Sequence, residues 1–226
     1  MKRLPFRFIF VAVFILFMTL LSPAEISVAQ VRKLYPVDEA AKNPSFFVFR
    51  ARLFKAIQQK DTAFLVGILS PKIISSFGGT GGIAEFKEMW KLNTPGSKVW
   101  SELSDCLALG GKFDNDGSFT APYVFGFPEN IDPYENAAVI NDNVNVRSQP
   151  RTDSPVLKTL SFDIVKVIKW DRVQTKADRR AWLTIQLDDG KQGFISDEFV
   201  RSAIDYRATF EKTNGKWLMT SFVAGD

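Results

Sequence analysis

The residues of this chain that could support catalysis are four carboxylates, Asp105, Asp132, Glu135 and Asp205. Hydrolysis of a glycosidic bond needs two carboxyl groups held at a defined separation across the substrate. No motif in the sequence indicates that any two of these four face each other. The chain has no histidine and one cysteine, Cys106, which excludes Ser-His-Asp and Cys-His nucleophiles and zinc sites built on histidine or on several cysteines. We therefore predict no enzymatic activity, no cofactor and no metal.

Two short segments imitate ligand-binding loops. Gly78–Gly82 follows an apolar run, as a phosphate loop follows a strand, but the segment lacks the Lys-Ser/Thr pair of a P-loop. Asp114-Asn115-Asp116-Gly117 is similar to the start of a calcium loop, but it lacks the distal glutamate. We predict a turn at the glycine run and a β-hairpin turn at Asp114–Gly117.

The N-terminal segment is typical of an export signal. Lys2, Arg3 and Arg7 precede an apolar run at Phe8–Leu21, which is short for a membrane span and suits the core of a signal peptide. We predict cleavage after Ala29, with Ala24 as the second choice and a retained membrane anchor as the alternative. The remaining chain is expected to be periplasmic or extracellular, with contact to the membrane only during export.

Export leaves a nearly neutral protein. The formal net charge of the chain is +4, but residues 1–29 carry three basic residues and one acidic residue, so the mature chain has a net charge of +2. This value gives no reason to expect nucleic-acid binding. We predict that Cys106 is a small buried apolar residue, with an intermolecular disulfide as the alternative.

Helical signals dominate the first part of the mature chain. Asn43-Pro44 supplies an N-cap and an N1 proline for a first helix. Asp61 is predicted to cap a second helix at Thr62–Leu69, which Pro71 would stop. Two further helices are predicted, at Ile83–Leu92 and after a cap at Ser97. Strands are predicted from Lys112, followed by a linker at 127–133.

The second part of the chain is rich in short strands. From Val139 onward, β-rich runs alternate with turns, which is typical of a small barrel. Two longer strands then flank Asn214-Gly215, a strong signal for a type I′ hairpin. The fold class predicted from these patterns is α+β, with an N-terminal α+β domain at 30–135 and a small β-barrel at 138–201.

The segment 138–201 resembles a bacterial SH3 domain. The resemblance is carried by Val144-Asn145-Val146-Arg147-Ser148-Gln149-Pro150 at the start of the segment, by Val156–Leu160, Asp163–Val167 and Trp182–Ile185 in its middle, and by Asp189-Gly190-Lys191-Gln192-Gly193-Phe194-Ile195 near its end. The resemblance implies an SH3-like barrel that recognises peptidoglycan or an extended peptide. Two positions depart from the family pattern. Phe162 stands where the family usually has glycine, and Phe194 stands where it has tryptophan.

The motif residues divide into structural and ligand-binding candidates. We predict structural roles for Asn145, Arg147, Pro150, Gly190 and Gly193. Strand alternation turns Leu183, Ile185 and Leu187 inward and Trp182, Thr184 and Gln186 outward. The ligand-binding candidates are Trp170, Trp182 and Phe194 as a stacking surface and Arg179 and Arg180 as partners for an acidic group. For the aromatic residues a role in the core remains open, and for the arginines a solvated loop remains open.

The rest of the chain has a weaker resemblance, to the nuclear-transport-factor-2-like α+β roll. The early helices and the final hairpin, Tyr206–Val223, carry it. The resemblance implies that the barrel is inserted into a host domain that residues 203–226 complete. The expected function is a non-catalytic binding protein of the bacterial cell envelope. The alternatives are a protein–protein assembly module, and a small-ligand binder or carboxylate-dependent hydrolase in the helical domain.

Overall fold

The computed structural model describes residues 32–175 and 178–225. The signal segment predicted at 1–29 lies outside these residues. In the described part of the chain, no helix is long and apolar enough to cross a membrane. The described residues form a mixed α+β fold with two sheets and four α-helices, so the predicted α+β class is confirmed.

Two helices begin where capping side chains predict them. α1 (Pro44–Gln59) follows Asn43, whose side-chain oxygen accepts hydrogen bonds from the backbone N–H groups of Ser45 and Phe46. α2 (Thr62–Gly67) follows Asp61, whose carboxylate accepts from the N–H of Phe64 at 2.9 Å. Each cap satisfies N–H groups that have no partner inside the helix.

The structure corrects two predictions about the next elements. α2 ends at Gly67 rather than Leu69, because the chain continues as strand β1 (Leu69–Ile74), which contains Pro71. Proline is tolerated there because β1 is an edge strand of its sheet. α3 (Ile83–Met89) is followed by α4 (Val99–Ala108), and Ser97 does not cap α4. The Ser97 hydroxyl donates instead to the carbonyl of Trp90 at 2.6 Å.

The first sheet combines strands from both ends of the described chain. Its order is β1, β12 (Lys216–Val223), β11 (Arg207–Thr213), β3 (Phe119–Ala121) and β2 (Lys112–Phe113). The turn between β11 and β12 has positive φ at both Asn214 (49°) and Gly215 (78°), so the predicted hairpin is confirmed. β11 pairs with β3, and β12 pairs in parallel with β1. The final hairpin therefore supplies the central strands of this sheet.

Helices cover the five-stranded sheet through one aromatic core. Phe46 of α1 is fully buried and contacts the rings of Phe119, Phe210 and Trp217, which come from three strands of the sheet. α4 contributes Leu103, Cys106 and Leu107 to the same core. The burial of Phe46 against β11 and β12 explains why α1 needs the C-terminal hairpin as its platform.

The second sheet is antiparallel and has seven strands. Its order is β10 (Val200–Ser202), β4 (Asn136–Val139), β7 (Ile164–Thr175), β8 (Asp178–Gln186), β9 (Gln192–Ser196), β5 (Val144–Arg147) and β6 (Val156–Leu160). In this order β10 and β6 are the edge strands. Alternate residues of the inner strands form a core of aliphatic side chains, among them Val146, Leu183, Ile185 and Ile195.

A third apolar cluster lies where the two sheets meet. Tyr123 and Ile131 precede the seven-stranded sheet in the chain, and they pack with Ala138, Ile164 and Ala203 of that sheet region. Ile131 lies within the segment 127–133, for which the sequence predicts a linker. This segment is therefore partly buried against the sheet and is not a solvated spacer.

Candidate functional site

The candidate site lies on the outer face of strands β5, β8 and β9. Residues that face each other directly across paired strands point to the same side of a sheet. Trp182 of β8 lies opposite Ser196 of β9, and Arg147 of β5 lies opposite Phe194. Their neighbours along the strands point into the aliphatic core, so these four side chains belong to the other face.

A pocket of about 250 Å³ opens on this face. The outer-face side chains Arg147, Arg180, Trp182 and Ser196 form one part of its wall. The chain segment that leads into β5, together with Thr152 and Phe199, forms the rest. The lining contributed by that segment and the start of the strand is mostly polar: Asn141, Asp142, Asn143, Val144 and Asn145.

Trp182 lines the pocket but is covered. Alternation along β8 predicts an outward side chain, and the structure places Trp182 outside the aliphatic core, as expected. Its side chain is nevertheless buried, with 2% of its surface exposed, and Thr184 on the same face is buried too. Pointing away from the aliphatic core therefore does not expose either residue to solvent. With so little exposed surface, Trp182 offers no open platform for stacking.

The indole of Trp182 also has an unused donor. Its Nε1–H is buried and has no hydrogen-bond partner among the described residues. Most buried polar groups are paired, and leaving a donor unpaired costs free energy. The pocket thus has a buried N–H donor in one of its lining residues.

Arg180 lines the pocket and forms an ion pair with Glu198. Its Nη1 lies 3.0 Å from Oε1 of Glu198, and both side chains are about half exposed. The Ser196 hydroxyl also donates to Oε1 of Glu198, at 3.3 Å. Arg172, farther along the same hairpin, pairs with Asp197 at 3.1 Å. The side chain of Arg179, the other basic candidate, lies outside the described residues.

Arg147 and Asn145 hold neighbouring strands and loops. Nη1 of Arg147 donates to the carbonyl of Ser154 at 2.7 Å, across the loop that contains Pro150. The side-chain oxygen of Asn145 accepts from the hydroxyl of Thr159 at 3.1 Å. These contacts suit the structural roles that the sequence assigns to both residues. Both side chains also line the pocket.

The other two aromatic candidates do not line the pocket. Trp170 is 41% exposed, and its Nε1 donates to the carbonyl of Tyr134 at 3.0 Å. Phe194 is half-buried on β9. Among the described residues, no ring contact joins Trp170, Trp182 and Phe194 to one another, so the structure does not bring the three together in one groove.

Three positions in or between strands of the seven-stranded sheet have a backbone conformation or a close contact that favours glycine. Gly190 has φ of +80°, and a Cβ at Gly193 would stand 2.5 Å from Cγ1 of Val146. Both positions therefore suit glycine, as the sequence predicts. Phe162, at a position where the resemblance noted from the sequence would place glycine, has φ of +58°. This is the left-handed conformation that glycine adopts readily and that a bulky side chain rarely adopts.

The two segments that imitate ligand loops are closed by side chains of the protein. The carboxylate of Glu85 accepts from the N–H of Gly81 at 2.9 Å and from the hydroxyls of Ser76 and Thr80. The hydrogen bonds to Gly81 and Ser76 hold the pKa of Glu85 below its usual range. A carboxylate thus already occupies the inside of the glycine loop. At Asp114–Gly117 the predicted hairpin joins β2 and β3, and the Asp114 carboxylate accepts from Thr120 at 2.9 Å.

The four carboxylates considered from the sequence fall on different elements, although Asp105 and Asp205 both lie close enough to Glu102 to raise its pKa. Asp105 is on α4, Asp205 precedes β11, and Asp132 and Glu135 precede β4. Within 32–175 and 178–225, no group of three or more histidine, cysteine, aspartate and glutamate residues is arranged to hold a metal ion. Cys106 is fully buried, as predicted, and burial raises the pKa of its thiol to about 12.

No protein-family profile, curated protein or solved structure matches the chain. The site is therefore defined by its own geometry. Sequence reasoning selected Arg180 and Trp182 but missed the Asn141–Asn143 segment and Glu198. The polar residues just before Val144 are typical of a turn, and nothing local in the sequence shows that this turn lines a pocket together with β8.

Proposed function

We propose that this chain is an exported, non-catalytic binding protein of the bacterial cell envelope. In this proposal its strand-rich region, 138–201, is an SH3-like domain whose ligand is peptidoglycan or an extended peptide. The ligand contacts the pocket between the Asn141–Asn145 segment and β8. The helices and the five-stranded sheet serve as the domain into which the SH3-like domain is inserted.

One observation carries the proposal. The pocket lies on strands β5, β8 and β9, and two of these strands, β5 and β9, overlap the segments that resemble the bacterial SH3 motif, Val144–Pro150 and Asp189–Ile195. Its lining combines neutral amides, two arginines and aromatic side chains. This combination suits peptide groups and acidic groups, because amides and guanidinium groups can satisfy carbonyl and carboxylate oxygens in fixed directions.

Co-sedimentation with purified sacculi tests the proposal. We expect the protein to pellet with the sacculi, and we expect Arg180→Ala to weaken this binding about tenfold, as the loss of a charged hydrogen-bonding partner would. Arg172→Ala is the matched control, because Arg172 is an exposed arginine of the same hairpin with its own ion pair and does not line the pocket. Absence of the protein from the pellet, or equal losses in both variants, would contradict the proposal.

A second candidate, a protein-assembly module, is favoured by the edge strand β6. β6 pairs with β5 alone, and its Val156 and Leu157 are 47% and 46% exposed. Exposed strand edges with apolar side chains pair readily with other chains. A mass in solution that rises with protein concentration, together with no binding to sacculi, would favour this candidate over the first.

A further inference from the structure

The outward side of α1 carries a patch of side chains that do not pack on the sheet. This exposed face of α1 consists of Phe47, Val48, Ala51, Arg52 and Lys55. We propose that it binds the surface of a bilayer that contains anionic lipid. The proposal goes beyond the proposed function, in which the helices only form the host domain. It adds a lasting membrane contact to the transient one expected during export.

Two large side chains form the apolar part of this face. Phe47 is 50% exposed and Val48 is 59% exposed, and Ala51 lies one helical turn beyond Phe47. The opposite side of α1 already packs on the five-stranded sheet through Phe46 and Leu53. Phe47 and Val48 therefore contribute little to that core. Single exposed apolar residues are common, but here neighbours combine into one continuous patch.

The charged part of the face is positive. α1 contains Arg50, Arg52 and Lys55 and no acidic residue. Arg50 forms an ion pair with Asp38, so its charge is offset. The guanidinium of Arg52 lies 5.6 Å from the ring centre of Phe64, and this contact leaves its charge in place. Arg52 and Lys55 thus extend the apolar patch with two positive charges.

The charges that flank α1 do not reverse this sign. Within residues 38–61, which include the chain on both sides of the helix, there are five basic and three acidic residues. Lys42 and Glu39 pair with each other, and the carboxylate of Asp61 caps α2. The segment therefore has a net charge of +2, which equals the net charge of the mature chain. The positive charge of the protein is concentrated around this helix.

An anionic bilayer matches both parts of the exposed face. Helices that lie in the plane of a membrane surface place Phe and Leu side chains at the boundary of the acyl chains and Lys or Arg side chains near the phosphates. The negative surface potential of anionic lipid attracts such basic residues. An acidic protein would match the charge, but it would need a cavity shaped for Phe47 and Val48. A bilayer needs none.

The position of α1 in the chain also brings this face to the membrane. The apolar run of the predicted export signal, Phe8–Leu21, ends 22 residues before Pro44, the first residue of α1. A face with two large apolar side chains and two cations binds weakly and reversibly by itself. Retention of the apolar run as an anchor would strengthen the binding by holding α1 close to the bilayer.

Flotation with lipid vesicles tests the proposal on the purified protein at pH 7. One probe is an equal mixture of phosphatidylglycerol and phosphatidylcholine, and the neutral probe is phosphatidylcholine alone. We expect binding to the anionic vesicles to be about tenfold tighter and to weaken as salt is added. Phe47→Ser and Lys55→Glu should each weaken this binding about tenfold. Lys55→Glu changes the charge of an exposed side chain without altering the core.

The matched controls are Leu157→Ser and Lys191→Glu, which should bind the anionic vesicles as the natural protein does. Leu157 is 46% exposed on β6, close to the value for Phe47, and Lys191 is an exposed lysine between β8 and β9. All four variants keep residues 1–31, so any binding by Phe8–Leu21 is common to them. Absence of flotation, equal binding to both kinds of vesicle, or equal losses in test and control variants would overturn the proposal.

Discussion

At the scale of single residues, Phe162 is a bulky residue held in a left-handed backbone conformation. Its φ of +58° is the conformation for which glycine is the usual residue. The ring of Phe162 lies 5.7 Å from the ring of Tyr35, centroid to centroid. The N–H of Leu34 donates to the carbonyl of Phe162 at 2.8 Å. The backbone strain at this position is thus accompanied by contacts with the segment that precedes α1.

Replacing Phe162 by glycine and by alanine separates the strain from the ring contact. Both variants lose the contact with Tyr35, but only glycine adopts positive φ without steric cost. We expect Phe162→Gly to be more stable than Phe162→Ala by about 1 kcal/mol, measured by urea unfolding at pH 7. Equal stability of the two variants would show that the backbone is not strained at this position.

At the scale of elements, α4 carries an acidic group in an unfavourable place. Burial raises the pKa of Glu102, and the negative charges of Asp205 and Asp105 raise it further, against the opposing effect of Arg201. α4 packs on β11, and Asp205 lies just before that strand. The raised pKa means that the folded protein favours the protonated form of Glu102 more than the unfolded chain does.

Glu102→Gln should therefore change stability in a pH-dependent way. Because the folded pKa is raised, the stability of the natural protein is greatest below the ordinary glutamate pKa and falls as the pH rises through the folded value. Glutamine stays neutral, so we expect the variant to have the higher melting temperature at pH 7 and a melting temperature equal to that of the natural protein near pH 3. The exposed glutamate of α3, Glu88, provides the control variant Glu88→Gln. A stabilisation by Glu102→Gln that persists at pH 3 would contradict this assignment.

At the scale of the whole molecule, residues 32–39 connect the two sheet regions. Lys33 forms an isolated antiparallel β-bridge with Asp163, just before β7 of the seven-stranded sheet. The Nζ of Lys33 also lies 3.0 Å from the carboxylate of Asp163. Farther along, Asp38 bridges to Gly111 just before β2. The guanidinium of Arg50 donates to both oxygens of Asp38, at 2.8 and 2.7 Å. One short segment thus contacts both parts of the fold.

Leu34 in this segment tests whether the two sheets unfold together. It is buried in the cluster between them, so Leu34→Ala should cost about 2–5 kcal/mol. We expect hydrogen exchange to show that amides of both sheets lose protection by the same free energy. Leu157→Ala, at the exposed leucine of β6, is the control and should cost less than about 1 kcal/mol. Loss of protection in one sheet alone would show that the sheets unfold separately.

Local features of the sequence determined those parts of the fold that depend on a few adjacent residues. The caps Asn43 and Asp61 act on N–H groups within three positions, and the Asn214-Gly215 turn needs only its own two φ angles. For this reason the starts of α1 and α2, the final hairpin and the α+β class could all be predicted. The end of α2 could not be predicted, because the chain from Leu69 forms β1 by pairing with β12, which lies far away in sequence.

The pocket was decided by tertiary structure alone. Alternation along β8 shows which side chains leave the aliphatic core, and Trp182 is one of them. Alternation does not show what covers that face. The Asn141–Val144 segment and Phe199, which lie outside β8 in sequence, line a pocket together with Trp182. Burial depends on which distant segments meet, and the residue types of a single strand do not contain that information.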